Sequence, residues 1–234
     1  MNSIAQSLLC VCGEAGRKSK LAQCMALPFG TISENVARIE WSSGTLESAA
    51  TQRSVKRLGD LAGLFLDERA WLSMNPGIAV YSVEWQQPVK QDTPAGLFWG
   101  STRIEPGKVG GEYFMTFGHF HARRDRAEYY CVVQGQGMLL LMDEERRTRV
   151  EIMSPGSLHY IPGHTAHRAV NTGATPLLFW ACWPSDAGHD YETIARRHFS
   201  ARVFQRNGKP EVVPDEPEPG PQPRVEAVEA GELE

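Results

Sequence analysis

The stretch that decides how the rest of the chain is interpreted is Gly118-His-Phe-His-Ala-Arg-Arg-Asp-Arg-Ala-Glu128. Side chains two residues apart on a β-strand point to the same face of the sheet. His119 and His121 are therefore expected to converge on one point, with Phe120 facing the opposite side. Two imidazoles on one face supply half of a metal coordination shell, and we expect Glu128 and a later histidine, His167, to complete it.

This set of side chains predicts a mononuclear metal site. Imidazole and carboxylate together suit a first-row divalent ion such as Fe²⁺, Mn²⁺, Ni²⁺ or Zn²⁺. A lone histidine is more often an ordinary polar residue. That interpretation is weak for a His-x-His pair followed by a glutamate and by a third histidine beside the Pro162-Gly163 turn. Four protein ligands on an octahedral ion would leave two positions for adjacent oxygens of a substrate.

Short β-like segments separated by Gly and Pro turns surround the histidines, and they predict an all-β jelly-roll barrel with minor peripheral helices. A doubly wound α/β fold has no room for its helices here. Gln134-Gly-Gln-Gly137 resembles a hairpin turn between two of the strands. One short amphipathic helix is predicted from apolar residues at helical spacing, namely Val55, Leu58, Leu61, Leu64 and Phe65. The predicted strands are Gly77–Trp85, Gly96–Ile104, Glu112 into the two histidines, Tyr129–Val133, Met138–Met142, Arg149–Met153, Leu158–Ile161, His167–Asn171 and Leu177–Trp183.

Composition limits the partners and the compartment. The 234 residues carry a net charge of −4, and the acidic end from Pro214 onward accounts for more than all of it, so no basic surface for nucleic acid is predicted. No apolar run approaches the length of a membrane span. Five irregularly spaced cysteines favour reduced thiols and a cytoplasmic location. We expect an N-terminal extension over residues 1–27, one domain over 28–213, and a disordered, Pro-rich acidic tail over 214–234.

Two motifs resemble those of the cupin superfamily. Gly118-His-x-His, Glu128 and Gly135 match the first cupin motif, although the gap between histidine and glutamate is longer than in the general pattern. The second motif is matched by Gly156, Pro162, His167 and Asn171, with His164 where the general motif often has glycine.

Four segments narrow the resemblance to the cupin-type glucose-6-phosphate isomerases. They are Thr102–Gly118, Asp125-Arg-x-Glu-x-Tyr130, Ala166-His-Arg-x-Val-Asn-x-Gly173 and Asp186-Ala-Gly-His-Asp-Tyr191. The resemblance extends over roughly residues 28–214. It implies a metal-dependent aldose–ketose isomerase of glycolysis and gluconeogenesis that interconverts glucose 6-phosphate and fructose 6-phosphate.

The resemblance also implies a role for each site residue. His119, His121, Glu128 and His167 would hold the metal, most simply Fe²⁺. Glu128 would act as the base through a cis-enediol, with His189 shuttling protons or opening the ring. Trp183 stands where relatives are expected to have tyrosine, and the family suggests a homodimer. The residues implied to bind the sugar phosphate are Thr102, Thr116, Gly118, Tyr130, Trp183 and Tyr191.

Three alternatives stay open on sequence. A metal-assisted hydride shift could replace the cis-enediol route. A cupin dioxygenase would use the same ligands with dioxygen in an open position. A sugar-binding cupin without catalysis is the third, although it has no need to retain all four ligands.

Overall fold

A computed structural model of the chain describes residues 36–215. Within this range the chain is mostly antiparallel β-sheet, with two short α-helices and one 3₁₀ turn at the periphery. The strands are β1 (Arg38–Ile39), β2 (Leu46–Glu47), β3 (Gln52–Arg57), β4 (Ala79–Gln86), β5 (Leu97–Ile104), β6 (Lys108–Val109), β7 (Glu112–Tyr113), β8 (Glu128–Gln134), β9 (Gly137–Met142), β10 (Thr148–Met153), β11 (Leu158–Ile161), β12 (Ala166–Asn171), β13 (Leu177–Pro184), β14 (Ala201–Arg206) and β15 (Lys209–Pro214); the helices are α1 (Glu68–Ser73) and α2 (Tyr191–Arg197).

Two sheets share one hydrophobic core. A six-stranded sheet has the order β11-β8-β13-β5-β4-β3, and a three-stranded sheet has the order β10-β9-β12. From β8 onward the chain alternates between them: β9 and β10 belong to the smaller sheet, β11 returns to the larger one, and β12 and β13 repeat the crossing. This alternation is jelly-roll connectivity. The predicted all-β class with minor peripheral helices is confirmed.

The six-stranded sheet has two chemically different faces because its side chains alternate. The inner face, which points to the core and the cavity described below, carries Phe98, Thr102, Glu128, Tyr130 and Phe179. The outer face carries Leu97, Trp99, Tyr129, Cys131, Leu158, Tyr160 and Trp180.

The predicted hairpin at Gln134–Gly137 is wrong. β8 pairs with β11 and β13, and β9 pairs with β10 and β12, so the Gly-rich turn carries the chain from one sheet to the other. Gly135 has φ +83°, and a Cβ there would lie 2.3 Å from the Pro176 carbonyl oxygen. A turn signature predicts a change of direction, but it does not specify which strand becomes the partner.

The predicted amphipathic helix is also wrong. Val55 lies within β3 and pairs with Ser82, and only Leu58–Leu61 form a single 3₁₀ turn. The apolar residues from Leu58 to Phe65 are buried as expected, but on an irregular segment. The helix that does form is α1, which begins where the Asp67 carboxylate accepts a hydrogen bond from the Ala70 N–H at 2.9 Å.

Pro214 and Asp215, which the prediction placed in the tail, belong to the folded part of the chain. Pro214 ends β15, and the Asp215 carboxylate forms an ion pair with Arg202 Nε at 2.8 Å. The predicted extension over residues 1–27 and the predicted tail from residue 216 onward lie outside the described residues. Within residues 36–215, no helix is long and apolar enough to cross a membrane.

Candidate metal centre

His119 and His121 lie on an irregular segment rather than on the regular strand predicted there. β7 ends at Tyr113, and the chain then follows β12 through isolated bridges. One bridge joins His119 to His167, with N–H···O distances of 3.3 and 3.0 Å. The two imidazoles of the His-x-His pair still lie together, with ring centroids 5.7 Å apart, because the local backbone stays extended against β12.

The other two candidate ligands come from separate sheets. Glu128 begins β8 in the six-stranded sheet, and His167 belongs to β12 in the three-stranded sheet. One ligand atom from each of the four residues lies within 4.8 Å of all the others. Glu128 Oε2 is 3.3 Å from His121 Nε2 and 3.2 Å from His167 Nε2. The structure thus brings together the four residues that the sequence singled out.

Hydrogen bonding around the imidazoles leaves their Nε2 atoms directed at one another. His121 Nδ1 donates to the Arg126 carbonyl oxygen at 2.9 Å, and its Nε2 lies 3.3 Å from Glu128 Oε2 inside the cluster. The Nε2 atoms of His119 and His167 are buried without a hydrogen-bond partner. The contact of His167 with Glu128 is close enough for an ion pair but lacks hydrogen-bond geometry. An unsatisfied buried polar atom costs about 1–3 kcal/mol, so two in one cluster fit a site built to bind a divalent ion.

The electrostatics favour the metal-binding protonation states of Glu128 and His119, whereas at His121 burial acts to lower the pKa but the hydrogen bond and charge of Glu128 outweigh it and raise the pKa. Burial acts to raise the pKa of Glu128, but its contacts with His121 and His167 outweigh it and lower the pKa to about 2. Glu128 is therefore a carboxylate at neutral pH. Burial holds the pKa of His119 well below its usual range, and the neighbouring histidines lower it further. Neutral imidazole and carboxylate are the forms that coordinate metals.

The cluster opens into a cavity of about 630 Å³, a size typical of small-molecule sites. His119 and Glu128 form part of its wall, so an ion held by the cluster would face the cavity. Every residue implied to bind substrate lines the same space. These residues are Thr102, Thr116, Gly118, Tyr130, Trp183 and Tyr191, together with His189.

The segment that carries Thr116 and Gly118 is tied to β12. The Thr116 N–H donates to the Ala169 carbonyl at 2.9 Å, and the Ala169 N–H donates to Thr116 Oγ1 at 3.1 Å. Gly118 has φ +77°, and a Cβ there would lie 2.7 Å from the Phe199 ring. Glycine is therefore required both by the backbone conformation and by the close packing.

His189 stands beside the metal ligands, on the loop that follows β13. Its ring lies 4.5 Å from the His119 ring and stacks on Tyr191 at an interplanar angle of 6°. Burial lowers the pKa of His189, so its imidazole is neutral at pH 7 and can accept a proton. Burial also raises the pKa of Tyr130 well above its usual range, which keeps the phenol protonated as a hydrogen-bond donor.

Several wall residues were not predicted from the sequence. Lys56 is the one Lys or Arg among the described residues that line the cavity, and it was missed because β3 was read as helix. The period-two alternation of Ser54 and Lys56 in a strand would have been the usable signal. The other unpredicted wall residues include Tyr81, Val83, Trp85, Phe98 and Phe117.

The remaining histidines lie apart from the cluster. The side chain of His164 is 60 % exposed on the turn, and its φ of +58° explains why glycine suits this position in the cupin motif. His159 is buried between Ser157 and Glu151, which both contact its ring nitrogens.

Comparison with known proteins gives a consistent family match. The family model described as Glucose-6-phosphate isomerase (GPI) matches residues 55–218. The chain is 42 % identical to a glucose-6-phosphate isomerase of Thermococcus litoralis over 81 % of this chain and 95 % of that one. It is 43 % identical to a glucose-6-phosphate isomerase of Pyrococcus horikoshii over 75 % of this chain and 92 % of that one. An oxalate decarboxylase structure from Bacillus subtilis overlaps with a TM-score of 0.37 at 18 % identity, over 47 % of this chain and 26 % of that one. That overlap is too partial to bear on fold or activity.

Proposed function

The chain belongs to the glucose-6-phosphate isomerase family, and from this premise we propose that its cavity interconverts glucose 6-phosphate and fructose 6-phosphate. The observation that carries the proposal is that the four-residue ligand cluster opens directly into the cavity whose wall includes Glu128 and His189. An aldose–ketose isomerisation has to move a proton between adjacent carbons while negative charge develops on oxygen. A cation site beside a carboxylate base suits that reaction.

We propose one divalent ion per subunit, held by His119, His121, Glu128 and His167. The imidazole–carboxylate donor set suits Fe²⁺, Mn²⁺, Ni²⁺ and Zn²⁺, and the family resemblance is the reason for proposing Fe²⁺ first. When bound, such an ion supplies Lewis-acid stabilisation of negative charge on substrate oxygen. The unsatisfied Nε2 atoms of His119 and His167 support this assignment.

Glu128 is the proposed base, and its two oxygens are differently placed. Both histidine contacts use Oε2, and no hydrogen bond from the described part of the chain reaches Oε1. A carboxylate engaged through one oxygen keeps the other for proton abstraction from the substrate carbon and return through a cis-enediol. A carboxylate bound to a cation is a weaker base. The oxygen Oε1, which has no partner in the described structure, supports the proposal that Glu128 still accepts a proton.

His189 is the proposed second proton carrier. Its neutral imidazole can take a hydroxyl proton during ring opening or move one between the two substrate oxygens. Stacking on Tyr191 limits rotation of the ring, so the nitrogen that faces the cavity stays in place.

The phosphate group is proposed to bind beside Thr116 and Gly118, at the side of the cavity away from Trp183. Thr102 and Thr116 supply hydroxyl groups, and the Gly118 N–H has no hydrogen-bond partner in the described range. Lys56 supplies the cation that a phosphate dianion favours. Tyr130, Trp183 and Tyr191 form the aromatic wall around the sugar.

A homodimer is proposed because the outer face of the six-stranded sheet is strongly apolar. Leu158 is 65 % exposed, Tyr160 50 % and Tyr129 48 %, and these side chains are neighbours in the register of β8 and β11. A contiguous apolar surface of this kind is typical of an interface between subunits. Cys131 and Cys182 are free thiols, which supports a reducing compartment such as the cytoplasm.

The decisive experiment is a coupled assay that converts fructose 6-phosphate to glucose 6-phosphate. We expect turnover in protein prepared without chelator, loss of turnover with EDTA, and recovery on addition of Fe²⁺ or Mn²⁺. No turnover with any of the four candidate metals would contradict the proposal. Oxygen consumption with a phenolic or thiol substrate would instead indicate a dioxygenase, and saturable sugar-phosphate binding without turnover would indicate a sensor.

The proton-transfer route is tested by running the isomerisation in deuterated water. Transfer through Glu128 exposes the proton to exchange, so we expect solvent deuterium at the carbon that receives it. Complete retention of the substrate hydrogen would favour a direct hydride shift and would remove Glu128 from the role of base.

A further inference from the structure

Arg126 contacts both halves of the site, through its backbone carbonyl and through its side chain, and none of the roles assigned above depends on it. The Arg124 side chain also spans the two segments, since it donates to the His121 carbonyl and to Asp190, but it does not contact the ring of a candidate ligand. The backbone carbonyl of Arg126 accepts a hydrogen bond from Nδ1 of the ligand candidate His121 at 2.9 Å. Its guanidinium forms a bidentate pair with Asp186: Nε donates to Oδ1 and Nη2 to Oδ2, each at 2.8 Å. One residue therefore joins the segment before β8 to the loop after β13.

Asp186 belongs to the loop that carries His189, and its carboxylate is largely enclosed, with 10 % of the side chain exposed. It also accepts a hydrogen bond from Arg123 Nη1. A bidentate guanidinium–carboxylate pair fixes orientation as well as distance, and it is stronger than a neutral hydrogen bond.

Backbone contacts continue the attachment along the loop. The Arg123 N–H donates to the Ala187 carbonyl at 2.9 Å. Phe120 and Asp190 exchange hydrogen bonds at 3.4 and 2.8 Å. Gly188 has φ +59°, and a Cβ there would lie 2.9 Å from the Ala122 Cβ, so the loop lies flat against the histidine segment. Because these contacts flank residue 189, they determine how far its ring stands from His119.

We propose that Arg126 is a positioning residue that couples the metal-ligand shell to the His189 loop. Through its carbonyl it keeps the proton of His121 on Nδ1 and Nε2 directed at the metal position. Through its guanidinium it holds Asp186, and with it the loop that carries His189. The effect of Arg126 on catalysis rests on the proposed function, whereas the contacts of Arg126 do not depend on it.

Arg123 provides a matched control, because it donates to the same Asp186 carboxylate but its carbonyl does not contact a ligand histidine in the described structure. Removing either guanidinium loosens the loop. Only removal of the Arg126 guanidinium also takes away the anchor of the residue whose backbone carbonyl orients His121, so that this carbonyl can shift. Variants of Arg126 and Arg123 should therefore differ in metal affinity, while both should make the loop that carries His189 more mobile.

The test compares Arg126→Gln, Arg123→Gln, Asp186→Asn and the double variant Arg126→Gln/Asp186→Asn with the wild type. Affinity of the metal-free protein is measured by titration with Mn²⁺ alone, and mobility of residues 185–190 by amide hydrogen exchange. We expect Arg126→Gln to weaken Mn²⁺ binding by about 10-fold, the lower end of the loss seen for groups that orient metal ligands. Arg123→Gln should bind Mn²⁺ like the wild type, and both variants should speed exchange in the loop.

Turnover gives the second readout. Arg126→Gln at saturating Mn²⁺ should lower kcat by about 10- to 100-fold, since displacement of a catalytic group by about 1 Å costs about that much. KM should change by less than about 3-fold, because the phosphate side of the cavity is untouched. The double variant should be no worse in kcat than Asp186→Asn, since the two residues act through one contact.

Equal Mn²⁺ affinity in Arg126→Gln and Arg123→Gln would overturn the proposal, and so would wild-type loop exchange in Arg126→Gln or additive losses in the double variant. If Arg126→Gln does not fold, Arg126→Lys keeps the charge but cannot form the bidentate pair, and it should show the same effects at smaller size. A wild-type protein without isomerase activity would contradict the proposed function alone, because the affinity and exchange measurements stand without turnover.

Discussion

The inner and outer faces of the six-stranded sheet use the same strands for different purposes. On β8, Glu128 and Tyr130 point inward to the cavity, while Tyr129 and Cys131 point outward. On β3, Ser54 and Lys56 face the cavity, while Arg53 pairs with Glu84 on the other side at 2.6 Å. Neighbouring residues therefore differ in role because the pleat alternates, so the two faces can be tested separately by substituting adjacent positions.

The largest effect is expected at the metal ligands of the inner side. His167→Ala removes one of the four candidate ligands, so bound metal should fall below about a tenth of the wild-type content and kcat by at least about 10³-fold. Metal analysis of protein prepared without chelator, beside the coupled assay, measures both.

His164→Ala is the matched control, since it removes a histidine only three residues away whose side chain is largely exposed. It should keep metal content and turnover within about 2-fold of the wild type. Equal metal loss in the two variants would contradict the assignment of His167 as a ligand.

Substitution of the proposed base should have the next largest effect. Glu128→Gln keeps the size of the side chain but removes the basic oxygen, so we expect kcat to fall by about 10²- to 10⁴-fold, the usual contribution of a general base. The variant is assayed with added Mn²⁺ so that weaker metal binding does not limit the rate.

Glu145→Gln is the control. Glu145 is exposed and its carboxylate contacts only Arg147 in the described structure, so this substitution should leave kcat unchanged. A Glu128→Gln enzyme with full metal occupancy and near-normal kcat would show that proton abstraction uses another group.

A smaller effect is expected at the phosphate side of the cavity. Lys56→Gln removes the cavity's cation, so KM for fructose 6-phosphate should rise by about 10-fold, while kcat stays within about 3-fold. Steady-state kinetics measure both, and the effect should shrink as ionic strength rises.

Arg53→Gln is the control for Lys56→Gln. Arg53 lies on the same strand, but its side chain is on the outer side, so the substitution should leave KM unaltered. If the two variants behave alike, the positive charge of Lys56 has no specific role in phosphate binding.

The smallest effect on turnover is expected on the outer face. Tyr129→Ser combined with Leu158→Ser reduces the apolar surface, so the protein should dissociate to monomers at micromolar concentration in analytical ultracentrifugation. Turnover per site should change by less than about 2-fold, because neither side chain reaches the cavity. A wild type that sediments as a monomer would contradict the proposed dimer, and a variant that remains dimeric would place the interface elsewhere.

Much of the site could be predicted because its chemistry is local. His-x-His, Glu128 and the turn before His167 are recognisable residue types at a readable spacing, and convergence of the two imidazoles needs only an extended backbone. The strand through His119 and His121 was predicted as regular, whereas the structure shows isolated bridges. The outcome for the imidazoles is the same, because the extended conformation survives without a full ladder of hydrogen bonds.

One wrong prediction concerns strand partners, at Gln134–Gly137, and the other concerns local conformation, at residues 55–65. Gln134–Gly137 does reverse the chain, but the following strand joins the opposite sheet. Leu58, Leu61, Leu64 and Phe65 are buried, but Val55 belongs to β3, since pairing with β4 outweighs a helical spacing of apolar side chains over so short a segment. Lys56 was missed for the same reason.

The amino-acid sequence was sufficient to predict the β class, the four candidate ligands and the turn glycines. Strand alternation, the donor chemistry of the side chains and the backbone freedom of glycine at positive φ are properties of a few neighbouring residues. Tertiary structure alone decided which strands pair and which oxygen of Glu128 remains free. It also decided that Arg126 joins the His121 shell to the His189 loop through Asp186. Those arrangements depend on residues that are distant in the sequence, such as Glu128 and His167 or Arg126 and Asp186, and their meeting is selected by the packing of two sheets around one core.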